Sequence, residues 1–544
     1  MTALLLVLLA ATPRAELEQL ALTTAGDADA GRVVYASAAM QCAVCHKMDD
    51  DALDSAQREG RGVGPDLTAI GNKFDRPHLV DSLLHPSREI GYGYRPELVR
   101  LDDGRVLTGL VKTESDAELT LLNAKGERQT IAVADIDERK PSDVSLMPAG
   151  LFDTIAADDF VNLVAYLESR RPGGSSEWGA GITGPITLPE GWTLSVVATG
   201  LDGLTALETL PDGRVLVCEQ TGRVRMIAGD ELLPEPVVTL PVDSLWERGV
   251  IGVTVDPDFM ANGYLYVAWV AKEPYSHHRI SRFQIDPSNP NVADPASERV
   301  LFEGDDQSQY DGQVLAGHQG GGLHFGPDGC LYLGIGEHTT KQPAQRLDNF
   351  LGKIIRINAD GSIPSDNPFL APASGPQAEG KYAAIWARGC RNPFTFAFRE
   401  SDGLMLINDV GGSHEEVNVG RAGANYGWPN VDHGPQPGDS PFDGPAHWYP
   451  QSSVNGGDFI PEGRPHAGAY VYADYIRGFI RRIDPSDAGD ASTATQLVGG
   501  LRRPVDLRFT YDGTLYVLLR NSWVIDDKFV RDAGSVVKIV PSRR

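Results

Sequence analysis

Cys42-Ala43-Val44-Cys45-His46 combines residue types and a spacing that dictate a particular chemistry. Two thiols three residues apart can add to the two vinyl groups of a porphyrin, and an imidazole directly after them can ligate its iron. The string therefore reads as covalent attachment of a c-type haem through Cys42 and Cys45, with His46 as an iron ligand. A zinc site would need a second Cys or His pair nearby, and the next cysteine is Cys218. A thioredoxin-like pair would need a βαβ setting, which the surrounding pattern lacks.

Elements must position that motif. Asp29 to Ser37 reads as a short helix leading into it. Phe160, Leu163, Val164 and Leu167 fall at i, i+3, i+4 and i+7, one apolar face of a helix near 156–170. Between the two, Glu97 to Ile136 alternates in short apolar runs broken by Asp102-Asp103-Gly104 and Ala124-Lys125-Gly126, which predicts an inserted β module over 95–140. Gly62-Val-Gly-Pro-Asp-Leu67, Leu83-Leu-His-Pro-Ser87 and Ser145-Leu-Met-Pro148 occur in this same segment. With these strings, residues 26–170 resemble the cytochrome c family, in the subtype found beside propellers in planctomycete-type proteins. The resemblance implies that Met147, in a loop ahead of the last helix, is the second iron ligand. Met40 and Met48 are too near His46 to reach the opposite haem face. A Met ligand raises the reduction potential, which suits an electron acceptor.

Residues 171–185 form a Gly-, Ser- and Pro-rich linker. Beyond it a phrase recurs: Pro211-Asp-Gly-Arg-Val-Leu-Val217, Pro327-Asp-Gly-Cys-Leu-Tyr-Leu333 and Tyr511-Asp-Gly-Thr-Leu-Tyr-Val517. Each is a tight Asp-Gly turn followed by a strand, and such repetition over 186–541 predicts an all-β propeller, expected to be six-bladed. The fold class is thus multidomain: a helical cytochrome c domain with a small β insertion, then the propeller. Cys218, Cys330 and Cys390 are odd in number and far apart, and read as buried free thiols.

Gly249-Val-Ile-Gly252, Asp256-Pro-Asp-Phe259, Gly317-His318, Leu351-Gly-Lys-Ile-Ile-Arg-Ile-Asn358, Arg391-Asn-Pro393, Glu415-Glu-Val-Asn418 and Asn425-Tyr-Gly-Trp-Pro429 follow in order. This ordered set resembles the soluble quinoprotein glucose dehydrogenase and aldose sugar dehydrogenase family. The resemblance implies pyrroloquinoline quinone (PQQ) over the propeller channel and His318 as general base, a role suited to an imidazole that is neutral near physiological pH. It implies that Arg391 and Asn392 contact the quinone, and that Glu247, Arg477 and Arg503 also bind PQQ. Calcium is implied at Gly411 and Gly412 beside the cofactor, with Glu416 and Tyr426 as a second, structural calcium site. The sequence also departs from the pattern. Glu247 stands where the family has Gln, no Lys occurs from Ala469 to Ile480, and Arg502-Arg503 only partly matches the family's Arg pair.

A net charge of −26 disfavours a nucleic-acid partner. The apolar run Leu4–Ala11 is too short to span a bilayer, no other segment reaches that length, and residues 1–25 read as a leader. Together these readings predict a periplasmic or otherwise extracytoplasmic PQQ-dependent, aldose-type sugar dehydrogenase. It would pass electrons to its own haem and on to an external acceptor such as another cytochrome. The alternative is a non-enzymatic electron-transfer cytochrome fused to a glycan- or protein-binding propeller.

Overall fold

The chain divides into two packed units, Met1–Gly174 and Ser175–Arg544. The structure, a computed structural model, describes residues 13–541 apart from 49, 51–52, 55–56, 58–60, 69, 74–75, 89, 91–93, 115–117, 171–185, 311–315, 373–374, 433, 437, 487–492, 522–523, 526–527 and 530–531. The apolar run 4–11 and the linker 171–185 lie outside the described residues.

In the first unit, helix α1 spans Arg14–Thr23, α2 Ala28–Ala36, α3 Cys42–Cys45, α4 Ile70–Lys73, α5 Arg76–Leu84 and α6 Ala157–Ser169. The Asp27 carboxylate starts α2 by accepting from the N–H groups of Asp29 and Ala30. The apolar stripe Phe160, Leu163, Val164 and Leu167 of α6 is buried against α2. Gly31 permits that crossing, because a Cβ there would lie 1.9 Å from the Asn162 carbonyl oxygen. Helix α1 buries Leu17 and Ala21 in the same core, so the packed unit begins before the expected start at residue 26.

The expected β module, placed at 95–140, runs over 97–141 and among the described residues holds five antiparallel strands: β1 Glu97–Leu101, β2 Val106–Glu114, β3 Glu118–Leu122, β4 Arg128–Ala132 and β5 Ile136–Pro141, in the order β4-β3-β2-β1-β5. Alternation gives it two apolar faces. Val99, Leu101, Leu119, Leu121 and Ile131 form one cluster, and Leu110 and Leu122 belong to another.

Besides a two-stranded sheet, the second unit has among the described residues six antiparallel sheets of four or five strands. Their first strands are Leu204–Thr209, Val250–Val255, Gly321–Phe325, Pro393–Phe398, Val454–Phe459 and Pro504–Phe509. Each packs on the next, and the sixth returns to the first, so they ring a central channel as a six-bladed propeller. The ring closes without a loose edge because the earliest strand of the unit, Trp192–Leu201, is the outermost strand of the last blade, beside Gly534–Pro541. The repeated Asp-Gly phrases turn the chain from first to second strands. Gly213, Gly329 and Gly513 take φ of 89°, 74° and 82° there, a region that favours glycine. Second strands such as Cys330–Ile335 are buried throughout, between neighbouring blades. Cys218, Cys330 and Cys390 are free and buried.

Candidate active site at one mouth of the propeller

All first strands run the same way along the channel, so whatever precedes them gathers at one mouth. Glu247 leads into Val250–Val255, His318 into Gly321–Phe325, Arg391 and Asn392 into Pro393–Phe398, and Arg503 into Pro504–Phe509. The turns between second and third strands meet them at the same end and bring Glu337, the Val410–Ser413 turn, Arg477 and Arg520. Residues far apart in sequence thereby share one rim.

His318 is buried and held at φ +50°, a left-handed conformation that costs energy for a residue with a side chain. Its Nδ1 lies 2.5 Å from Oε1 of Glu337, whose side chain is fully buried. The carboxylate accepts, so Nδ1 carries the proton and Nε2 is left as the basic nitrogen. Glu337 is itself fixed: its N–H donates to the Arg391 carbonyl at 2.9 Å, and its second carboxylate oxygen accepts from the Lys341 N–H. Gly336 allows the backbones to cross here, since a Cβ would lie 2.1 Å from the His318 carbonyl oxygen. Nothing in the sequence reading marked Glu337. The available signal was an acid at the end of the buried strand Cys330–Ile335, where a carboxylate needs a partner.

Arg391 and Asn392 are buried beside this pair. Asn392 Oδ1 accepts from the Gly320 N–H at 2.8 Å and so ties the His318 loop to the fourth blade. Asp409 accepts from both backbone N–H groups, at 3.0 Å from Arg391 and 2.6 Å from Asn392. The Arg391 guanidinium donates to the Val410 carbonyl at 2.7 Å and lies over Trp428, 5.5 Å from the ring centre. The next residues are Gly411 and Gly412. The Gly411 N–H points to buried Glu415, whose carboxyl is pushed up to about 7 by burial.

The Glu247 carboxylate accepts from the Gln319 N–H at 3.2 Å, next to His318. Arg503 is buried, has φ +55°, and lies over Tyr475 at 5.2 Å. Its carbonyl accepts from the N–H of Arg520, a second buried guanidinium that donates to Gln220 Oε1 at 2.6 Å. The backbone thus joins Arg503 to Arg520, while Arg502, its neighbour in the partly matching Arg502-Arg503 string, is exposed. Arg477 is farther out, with Nη2 donating to the carbonyls of Pro450 and Gln451.

Glu416 and Tyr426, expected as the second calcium site, lie past the Gly411–Gly412 turn. Glu416 accepts from the Gly434 N–H and the Asn418 amide, while the Tyr426 hydroxyl donates to the Val419 carbonyl. Among the described residues no group of three or more His, Cys, Asp and Glu is arranged to hold a metal ion, so a calcium ion here would draw on main-chain carbonyls as well.

In the first unit, Cys42 and Cys45 lie on the single turn of α3, and His46 follows it. His46 Nδ1 lies 2.9 Å from the Pro65 carbonyl oxygen, so that nitrogen donates and Nε2 is the one left for a metal. Gly64 leaves room for the ring, because a Cβ there would lie 2.4–2.7 Å from its Cε1, Nδ1 and Nε2 atoms. Burial lowers the pKa of His46 and pushes the Cys42 thiol up to about 12. Met147 packs against the helical core that also receives Cys42.

The family model for glucose / sorbosone dehydrogenases matches residues 201–522, which contain the whole mouth just described. The chain belongs to the glucose / sorbosone dehydrogenase family. It is similar to quinoprotein glucose dehydrogenase B of Acinetobacter calcoaceticus, 28% identical over 272 residues that cover 44% of this chain and 53% of the relative. It is also similar to an aldose sugar dehydrogenase of Escherichia coli, 29% identical over 243 residues covering 43% and 61%. The mouse Hedgehog-interacting protein matches at 26% over 200 residues, covering 33% and 27%. The chain spans little more than half the length of the first two relatives. Among solved structures, an oxidoreductase of Thermus thermophilus described as a glucose dehydrogenase superposes with a TM-score of 0.55 at 26% identity, covering 64% of this chain and all of that one. The PQQ-bound aldose sugar dehydrogenase of Streptomyces coelicolor shares the fold, with a TM-score of 0.53 at 22% identity over 65% of this chain and 99% of that one.

Proposed function

We propose that this family member is an extracytoplasmic quinoprotein dehydrogenase that oxidises a sugar or related alcohol and delivers the electrons to a c-type haem on the same chain. The observation that carries the reading is the His318–Glu337 pair, set beside Arg391 and Asn392 at the channel mouth. His318 Nε2 takes the hydroxyl proton as the carbon is oxidised, and Glu337 holds the ring and steadies the charge it acquires. The donor set at the mouth suits a cofactor bearing carboxylates: Arg391 and Asn392 lie by the base, and Arg503 and Arg520 lie along the rim. PQQ bound there would supply the two-electron acceptor. The carbonyls of Gly411 and Gly412 would hold a calcium ion at its side. Glu247 adds a carboxylate next to this set, and a bound calcium ion would offset its repulsion of the cofactor.

The motif in the first unit also fits its group. Cys42 and Cys45 would form the thioether bonds, and His46, oriented by Pro65, would ligate the iron together with Met147. Haem c would supply a one-electron outlet toward an external acceptor, and its covalent attachment is what supports an extracytoplasmic location.

The test is sugar-dependent reduction of the haem. Haem-loaded protein is given PQQ, Ca²⁺ and a panel of aldoses while the haem absorption is followed. Reduction that is lost in His318→Ala is expected, and no PQQ binding at micromolar concentration would overturn the reading. A second reading has its own support in the match to a relative named for a protein interaction: the propeller binds a glycan or protein, and the haem unit transfers electrons independently. In that case sugars would leave the haem oxidised.

A further inference from the structure

The inserted sheet β1–β5 has no part in the function proposed above, yet it grips the segment that orients His46. Arg61 Nη1 donates to the Lys125 carbonyl at 2.9 Å, and Lys112 Nζ donates to the Gly62 carbonyl at 3.4 Å. The β3–β4 turn sits directly on Arg61, since a Cβ on Gly126 would lie 2.7 Å from Arg61 Cβ. Under these contacts Val63, Leu110 and Leu122 are buried together, with Cys45, Tyr94 and Leu146 packed against them. On its other side the 61–65 loop is bound to the attachment motif, through Arg61 N–H to the Val44 carbonyl at 2.8 Å and Gly64 N–H to the Cys45 carbonyl at 3.0 Å. Pro65, the partner of His46 Nδ1, is the next residue.

The two cysteines therefore meet different walls. Cys42 packs against the helical core, and Cys45 packs against the sheet. A helical domain needs no sheet to bury its own core, so the sheet's attachment at this spot calls for another explanation.

We propose that the inserted sheet is the second wall of the haem pocket: it clamps the Arg61–Pro65 loop that aims His46 and keeps the Cys45 side dry. The inference rests on the haem reading above. Its consequence is electrochemical. A drier, less polar surrounding disfavours the ferric state, which carries the extra positive charge, and so raises the reduction potential.

Leu121 and Leu122 are adjacent, both buried, and on opposite faces of the sheet, which supplies an internal control. Full-length, haem-loaded Leu122→Asn and Leu121→Asn are titrated against redox mediators. Leu122→Asn should lower the potential enough to cut the ratio of reduced to oxidised haem at the wild-type midpoint by about tenfold, equivalent to about 59 mV for one electron. Leu121→Asn should change it by less than about twofold. Should Leu122→Asn not fold, Leu122→Ala takes its place, with a shift of the same sign expected. An unchanged potential at Leu122, or equal shifts at both positions, would overturn the inference and leave the haem reading standing. A wild-type protein that shows no covalent haem spectrum would overturn both.

Discussion

The haem-type motif and the propeller mouth are built on opposite plans. Between Cys42 and His46 the reactive atoms come from five consecutive residues, and the fold adds one carbonyl from Pro65 and the space left by Gly64. At the mouth no two of His318, Glu337, Arg391 and Arg520 come from the same short string. They meet because first strands of successive blades point the same way and the turns between second and third strands return to the same end. A contiguous motif tolerates change in its surroundings as long as its own residues and the space for them survive. A distributed site depends on every blade that feeds it.

Four substitutions would break or sharpen that contrast. The largest effect is expected from Gly64→Ala, which puts a methyl where the His46 ring lies and should abolish normal iron ligation, read as loss of the low-spin haem spectrum. A normal spectrum would show that the motif needs less from its surroundings than the structure implies. Next, Glu337→Gln keeps the shape but removes the charge that orients His318, and kcat should fall by about 10²-fold with KM little changed. A KM effect alone would make Glu337 a binding group instead.

The third concerns the propeller as a whole. His324, partly buried in the channel and contacted by Arg508 and by Glu208, has its pKa lowered to about 4, chiefly by desolvation. An unfolded His binds a proton near pH 6.5. The unfolded state thus holds more protons between pH 6.5 and 4, and stability falls as pH falls through that window, by up to about 3 kcal/mol for this residue. His324→Gln should flatten the decline, measured by urea denaturation across pH 4–7. An unaltered slope would exclude His324 as its source. The smallest effect is expected at the rim, where Arg520→Met should weaken PQQ binding about tenfold in a titration without substrate, the scale of one charge-assisted hydrogen bond. Equal PQQ affinity would place the cofactor elsewhere.

Much of the architecture was legible in the residues. The α6 stripe announced a helix and a buried face, and the Asp-Gly phrases announced hairpins, because both are local periodic signals. Less of the site could be read. His318, Arg391 and Asn392 stood out by likeness to a family, while Glu337 and Arg520 carried no local signature because their partners lie 19 and 300 residues away along the chain. Glu416 and Tyr426 suited calcium by type, and only the fold shows the neighbours they meet, the Gly434 N–H and the Val419 carbonyl.

By itself, then, the sequence determined the Cys42–Cys45–His46 spacing, the helix and hairpin signals and the acidic charge, all properties of residue type and short-range order. Tertiary structure decided which carboxylate meets His318, which strand end brings Arg520 to the backbone of Arg503, and which apolar cluster meets Cys45. Those contacts depend on how distant strands are ordered around a ring or across a sheet, and chain-local patterns do not encode that order.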